Sequence, residues 1–280
     1  KPGRDAQRSH GLSARLDWSG AGAFMLQSVT GWADSDIVYS FDGDWGFDPG
    51  YDFTSRFVRR HRSLSEDLRL VSKAQASEAG DWSWLAGLSV LHVLETNDQL
   101  DLFDGEVFRA LQSRYAATNL AAYGQLEWRP AGRWRLTAGL RAEQREARYR
   151  DSDGGAFRPR DSMLGGNLAA EYRFEGGRSA YLTLARGYKA GGFNLGALIP
   201  EGRRLFAPEF LRSAELGLRA PFGDGRGSLD ATLFYMRRSD QQVSTSAQLD
   251  PGDPLSFIYP TDNAAEGENW GAELAAGWRA

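Results

Sequence analysis

The sequence predicts an all-β fold, an antiparallel transmembrane β-barrel of which this chain carries about eleven strands. Three observations lead there. Short and long connections alternate along the chain, an aromatic residue flanks nearly every short one, and the segments between them alternate apolar and polar residues with a period of two. Alternation alone makes strands. It does not choose between a soluble sandwich, whose apolar face meets a packed core, and a barrel, whose apolar face meets lipid. The rings make that choice. Amphipathic aromatics settle at the level of lipid headgroups, so a membrane barrel gathers them at one end of its hairpins, and a soluble sheet has no such reason.

Strand 11–19 sets Leu12, Ala14, Leu16 and Trp18 against Ser13, Arg15 and Asp17. The turn 19–22 follows, bracketed by Trp18 and Phe24, and strand 23–33 leads to a long polar connection, 34–61. Strand 62–72 returns to turn 72–81, which Trp82 follows, and strand 82–96 leads to connection 97–110. Strands 111–129 and 133–150 flank turn 129–132, between Trp128 and Trp134. The second of these alternates most clearly, with Trp134, Leu136, Ala138, Leu140 and Ala142 against Arg133, Arg135, Thr137, Arg141 and Glu143. After connection 151–160 come strands 161–175 and 178–190, whose turn 175–178 lies between Phe174 and Tyr181. Connection 191–209 precedes strand 210–220, where Ala214, Leu216 and Leu218 oppose Ser213, Glu215 and Arg219. Turn 221–227 contains Phe222, and strand 228–246 sets Leu229, Ala231, Leu233 and Tyr235 against Asp230 and Thr232. Connection 247–268 precedes strand 269–280, with Trp270, Ala272, Leu274, Ala276 and Trp278 opposite Glu273 and Arg279.

Several of these strands far exceed the roughly 5–6 residues usual in globular proteins, as tilted strands projecting beyond a bilayer do. Ring closure would satisfy every backbone group, which a bilayer demands. The short turns are expected to be periplasmic and the long connections extracellular. Complete bacterial barrels usually have an even strand count, so the odd count predicts a piece of a longer barrel.

Composition excludes several classes. With no cysteine there are no disulfides, thiolate zinc sites or cysteine nucleophiles. A net charge of -4 gives no support for nucleic-acid binding. No apolar run of about 18 residues exists, so no transmembrane helix is encoded. There is no signal peptide either, as expected if the start of an exported chain lies outside this sequence. A mean hydropathy of -0.48 reads as soluble, but a spanning strand needs only about 10 residues with every second one apolar. There is no G-x-S-x-G elbow and no convincing Ser–His pair, and Gly176-Gly177 and Gly191-Gly192 lack the strand–helix context of a phosphate loop. Neither an enzyme nor a cofactor is expected.

The acidic segment 34–51 holds Asp34, Asp36, Asp42, Asp44 and Asp48 with Trp45, Phe47 and Tyr51. Calcium takes several oxygens from one loop, which makes Asp42, Asp44 and Asp48 metal candidates. The spacing lacks the terminal glutamate of an EF-hand, and a solvated acidic loop is the plainer reading. Trp45, Phe47 and Tyr51 could meet a sugar or an aromatic chelator. His10, His61 and His92 show no metal-ligand spacing, and His92 reads as an outer-interface residue. The polar rows place Arg135, Arg141, Glu143, Glu215, Arg219 and Glu273 toward the lumen, as a solvated wall or as a lining selective for an anion. Arg203 and Arg204, in a loop, are placed to meet a carboxylate or catecholate through charge-assisted bonds, and Phe206 in the same loop is a further ligand-binding candidate.

Several segments resemble the TonB-dependent receptor family, in its ferric-siderophore branch. They are Arg186-Gly187-Tyr188-Lys189-Ala190-Gly191-Gly192-Phe193-Asn194; Phe206-Ala207-Pro208-Glu209 leading to Ser213-Ala214-Glu215-Leu216-Gly217-Leu218; Leu233-Phe234-Tyr235 through Asp240-Gln241-Gln242-Val243; and Asn263-Ala264-Ala265-Glu266-Gly267 with Gly271-Ala272-Glu273-Leu274. Glu66-Asp67-Leu68-Arg69-Leu70 and Trp84-Leu85-Ala86-Gly87-Leu88 resemble an upstream hairpin. Any one segment is weak, but the ordered set is specific. Physically, Gly187, Gly191 and Gly192 permit a bend, Tyr188 can sit at the outer interface and Pro208 can open a strand.

The resemblance implies an outer-membrane receptor of a Gram-negative bacterium for energy-coupled uptake of a scarce large ligand, first of all a ferric siderophore. It implies a barrel of about 22 strands holding an N-terminal plug, with ligand bound by the loops and plug apex. It also implies a TonB energy-transducing complex pulling on the plug. Residues 1–280 are then a partial barrel domain, without the plug, the coupling motif or the final strands. The luminal wall would grip the plug by polar contacts. A passive porin and a soluble carbohydrate-binding β-protein are the alternatives.

Overall fold

The structure, a computed structural model, describes residues 3–20, 22–43, 52–74, 80–195, 199–252 and 257–279. Its strands are β1 (Arg4–Trp18), β2 (Phe24–Asp42), β3 (Phe53–Ser72), β4 (Trp82–Phe103), β5 (Glu106–Trp128), β6 (Trp134–Asp151), β7 (Ala156–Phe157), β8 (Arg160–Arg173), β9 (Ser179–Lys189), β10 (Gly192–Phe193), β11 (Leu205–Phe206), β12 (Glu209–Phe222), β13 (Gly227–Ser244), β14 (Ala247–Gln248), β15 (Phe257–Ile258) and β16 (Thr261–Trp278). The long strands form one antiparallel meander in chain order, β1-β2-β3-β4-β5-β6-β8-β9-β12-β13-β16, with β7 added to β6. These are the eleven long strands the sequence predicts. Among the described residues β1 and β16 do not pair with each other, so the sheet is an open arc of a barrel.

The inner ends of the strands lie close to expectation, and the outer ends run further. β2 continues to Asp42 and β3 begins at Phe53, pairing Asp42 with Thr54 where a loop was expected. The expected long connection 97–110 is a correction. β4 and β5 fill it up to a two-residue turn, Asp104-Gly105, with φ of 50° and 81°. Positive φ at both positions suits the tight turn that follows the twist of a hairpin. Alternation fades above the membrane because water bathes both faces there, yet the backbone ladder continues.

Side chains tell the two faces apart. Tyr123 of β5 donates to Asp67 of β3 at 2.8 Å, Arg141 of β6 to Ser89 of β4 at 3.3 Å, and Tyr188 of β9 to Glu143 of β6 at 2.9 Å. Each pair spans an intervening strand, a backbone separation of roughly 10 Å. Such pairs form where the sheet curves toward them, so the polar face is concave and lines the lumen. On the convex face Leu140, Leu168 and Leu233 are 61%, 59% and 57% exposed although strands flank them on both sides. Among the described residues no second layer covers them, which removes the soluble β-protein alternative. Aromatics gather at the inner end, where Trp134 packs on Tyr172 at 4.8 Å, Tyr172 on Phe174 at 4.8 Å and Phe222 on Trp278 at 5.7 Å. Tyr181 is not among them; its hydroxyl donates inward to Glu215 at 2.7 Å.

Three luminal aromatics lie over glycines directly across a strand pair: Tyr181 over Gly217, Tyr123 over Gly87 and Phe234 over Gly271. A Cβ on Gly217 would lie 2.2 Å from two carbons of the Tyr181 ring, far inside van der Waals contact. Gly217→Val is therefore expected to destabilise the barrel by about 1–3 kcal/mol, the range for overpacking. Urea unfolding of the full chain in lipid vesicles measures it, and an unchanged midpoint would refute the ring placement.

Candidate functional site

Most of the luminal wall is paired with itself. Arg135 meets Glu127 at 3.1 Å and Glu171 at 3.7 Å. Glu143 accepts from Asn119 at 2.6 Å, Arg141 at 2.8 Å and Tyr188 at 2.9 Å. Arg219 meets Asp230 at 3.6 Å and stacks over Tyr181 at 4.9 Å. Glu273 shares a rung with Thr232 on the same face. Tyr188, expected at the outer interface, instead reaches inward to Glu143 and to Arg141 at 3.1 Å. On the convex face His92 contacts Thr118 at 2.9 Å, in the row of Leu12, Trp32 and Leu64.

Above this wall the connection between β9 and β12 folds inward as the β10–β11 hairpin, pairing Gly192 with Phe206 and Phe193 with Leu205. A Cβ on Gly192 would strike the Phe206 ring, so only glycine lets the two segments close. Three polar side chains tie the hairpin to the wall. Asn194 accepts from the Thr261 amide at 2.8 Å and donates to the carbonyls of Thr261 at 2.8 Å and Arg203 at 2.7 Å. Asn263 accepts from the Ala207 amide at 2.6 Å and donates to the carbonyls of Ala207 at 2.9 Å and Asp240 at 2.8 Å. Gln242 donates to the carbonyls of Ala190 at 2.9 Å and Ala207 at 3.0 Å, and its amide donates to Glu209 at 2.9 Å. Asp240 has φ of 55°, at a register shift between Arg238 and Gln241 that brings Gln242 into line.

The hairpin carries Phe193 into a ring cluster, 4.9 Å from Tyr149, 5.4 Å from Phe157 and 5.9 Å from Tyr115. Arg145 crosses the cluster, donating to Tyr115 at 2.5 Å and to the Gly191 carbonyl at 2.6 Å, with Asp161 at 3.7 Å. The Tyr149 hydroxyl is buried without a well-formed hydrogen bond. Around these groups lies a cavity of about 710 Å³ whose charged lining is Arg59, Arg145, Lys189 and Glu95. Arg59 leans on Phe57 and Asn97, and Glu95 faces His61 at 3.6 Å. Lys189 is exposed and makes no ion pair among the described residues. A second cavity of about 370 Å³ adjoins, lined in part by Arg109, Tyr149, Asn194 and Arg204.

Of the loop residues singled out in the sequence, Phe206 lines the larger cavity and Arg204 the smaller. Arg203 lines neither and lies 3.8 Å from Asp262. Trp45, Phe47, Tyr51, Asp44 and Asp48 lie outside the described residues, and Asp42 ends β2 opposite Thr54. Among the described residues no three His, Cys, Asp or Glu side chains gather as a metal site. Sequence reasoning placed Arg145 toward the lumen but missed Tyr115, Tyr149, Phe157 and the pairing of Phe193 with them. The available signal was odd-numbered aromatics on luminal rows, opposite a glycine-rich strand end.

A model of the family described as TonB dependent receptor-like, beta-barrel, matches residues 2–280. The pesticin receptors of Yersinia enterocolitica and Yersinia pestis are each 28% identical over 170 residues, covering 58% of this chain and 24% of their own length. The ferric yersiniabactin uptake receptor FyuA from Yersinia pestis superposes with a TM-score of 0.74 at 20% identity, over 99% of this chain and 40% of that one. The pyoverdine outer membrane receptor FpvA from Pseudomonas aeruginosa gives 0.70 at 13% identity, over 97% of this chain and 42% of that one. The chain thus spans about a quarter of the curated relatives' length and under half of these solved structures. At such identities the superpositions speak for the fold.

Proposed function

The chain belongs to the TonB-dependent receptor-like β-barrel family, an outer-membrane family of Gram-negative bacteria, and from that membership we propose that it serves energy-coupled uptake of a ferric siderophore. The supporting observation is the cavity at the mouth of the lumen, where Arg59, Arg145 and Lys189 face one carboxylate beside a cluster of four rings. Ferric complexes of catecholate or phenolate chelators are anionic and aromatic, so forked and point cations beside π-faces match both features. In this reading the paired wall below grips a plug supplied by the same parent chain, and the TonB complex acts on that plug. The convex face meets outer-membrane lipid. No residue is assigned a catalytic role, as in a transport receptor rather than an enzyme. A passive porin would share the inward hairpin, but would not need aromatic and cationic groups concentrated there.

Lys189→Gln in the full-length receptor is expected to weaken binding of an anionic ferric catecholate about 10-fold, the loss of one charge-assisted bond of roughly 1.5 kcal/mol. Equilibrium binding measures it, alongside growth of a receptor-deleted strain on defined iron sources. Unchanged affinity would remove this cavity as the anion site, and wild-type growth of the deletion strain would remove the siderophore assignment.

A further inference from the structure

The convex face carries a charged pattern above its apolar band. Followed across the ladder, one row on that face runs Arg8, Asp36, Arg60, Thr96, Arg114, Arg150. The next runs His10, Asp34, Arg62, Leu94, Ala116, Arg148. On β2 and β3 the charges cancel, since Arg60 meets Asp34 at 2.7 Å and Asp36 at 3.7 Å, and Arg62 meets Asp34 at 3.3 Å. On β5 and β6 they do not. Arg114 stands directly opposite Arg150, with Arg148 next on the same face of β6. All three are exposed, and none makes an ion pair among the described residues. Like charges directly opposite each other destabilise a strand pair. The carboxylates on this face nearest the patch are Glu146, which is held by Arg160, and Asp98, one rung away on β4, and among the described residues neither forms an ion pair with the three arginines.

Height identifies what balances the three arginines. Trp128 and Trp134 mark the inner interface, and an apolar band about 25 Å tall takes roughly ten residues of a strand tilted by about 40°. The band then ends near Thr118 on β5 and Gln144 on β6, where the outward row turns polar. Arg114 and Arg148 lie four residues further on each strand, roughly 10 Å beyond the hydrocarbon. Flexible guanidinium arms at that level reach the headgroup layer.

We propose that Arg114, Arg148 and Arg150 form a docking site for the phosphate groups of an outer-leaflet glycolipid. Three planar forks converge on one patch and suit bidentate contact with phosphate oxygens. The ligand is lipid and not cargo, because the patch faces away from the lumen. The site depends on the lipid-facing assignment of this face and is independent of which solute the receptor imports.

The test uses the full-length receptor, extracted from outer membranes in mild detergent. Co-purifying glycolipid is counted by organic phosphate and by mass spectrometry. The triple variant Arg114→Gln, Arg148→Gln, Arg150→Gln is expected to retain about 10-fold less than the unaltered receptor, given several charge-assisted bonds lost. Heat-modifiable gel migration reports that the barrel has folded. If the triple variant does not fold, Arg150→Gln alone is expected to lose about 3–5-fold. Rebinding is then measured from vesicles containing the glycolipid, the same glycolipid stripped of phosphate, or the glycolipid with millimolar inorganic phosphate. Loss with the stripped lipid and persistence against free phosphate support the site. Glycolipid retained by the variants, equal binding of the stripped lipid, or displacement by free phosphate overturns it.

Discussion

Leu140→Arg is expected to destabilise the full-length barrel in a bilayer by about 2–4 kcal/mol, the cost of an arginine on the lipid face near the midplane. Leu140 lies on β6, six residues above Trp134, with Gly124 and Gly166 as its cross-strand partners. Two small neighbours leave the new side chain no polar partner at its own height, so the guanidinium must snorkel or draw water into hydrocarbon. The control is three residues away. Thr137 lies on the opposite face, directly across from Glu127, so Thr137→Arg adds a cation to a luminal wall that already holds a carboxylate. Its expected cost is within about 1 kcal/mol, as for surface substitutions away from special features. Urea titration of both variants in lipid vesicles, followed by tryptophan fluorescence, separates the cases. Equal destabilisation would mean that the two faces have been assigned wrongly, since a shift of an odd number of residues along a strand changes the solvent.

The same argument explains why the fold was legible in the sequence. Within the bilayer one face must be apolar, and this constraint writes Trp134, Leu136, Ala138 and Leu140 at every second position. Strand number, order and inner ends follow from that signal. It stops where lipid stops. Segment 34–42 reads as an acidic loop, yet Asp34 and Asp36 are rungs of β2 answered by Arg60 and Arg62 on β3. Such cross-strand pairs leave no periodic trace, because the partner lies more than twenty residues away. The outer site was less legible still. Tyr115 and Tyr149 face each other across β5 and β6, but Phe193 comes from a connection more than forty residues further on, and only the inward fold of the hairpin brings it within 6 Å of both. Arg203 and Arg204 are indistinguishable as adjacent loop cations. One pairs with Asp262 and the other borders a cavity, a difference set by the short 3-10 turn Glu201–Arg203 that turns them apart.

The hairpin that builds the site is itself the most sensitive element to perturb. Asn194→Leu removes three hydrogen bonds at a side chain that is 9% exposed, and leaves the Thr261 amide and the carbonyls of Thr261 and Arg203 to find new partners. Each bond contributes about 1 kcal/mol, and each buried group left unpaired costs about 1–3 kcal/mol, so partial rehydration leaves a local loss of about 2–4 kcal/mol. The barrel need not unfold to absorb it. The cheaper route is local opening, in which β10 and β11 leave the wall while β9 and β12 keep their ladder. Phe193 then leaves Tyr149, and Arg145 loses the Gly191 carbonyl. The expected result is faster amide exchange across residues 190–207, unchanged exchange in β5 and β6, and an unaltered urea midpoint for the barrel. Ligand affinity should fall about 30-fold, because a cavity that must first reassemble spends about 2 kcal/mol of binding energy on closing. Asn263→Leu should reproduce the pattern from the other side of the tie, since its amide holds both Ala207 and Asp240. Should exchange across 190–207 stay at the unaltered rate in both variants, ring packing alone holds the hairpin. The asparagines of the two motifs would then have to be explained by something other than this clamp.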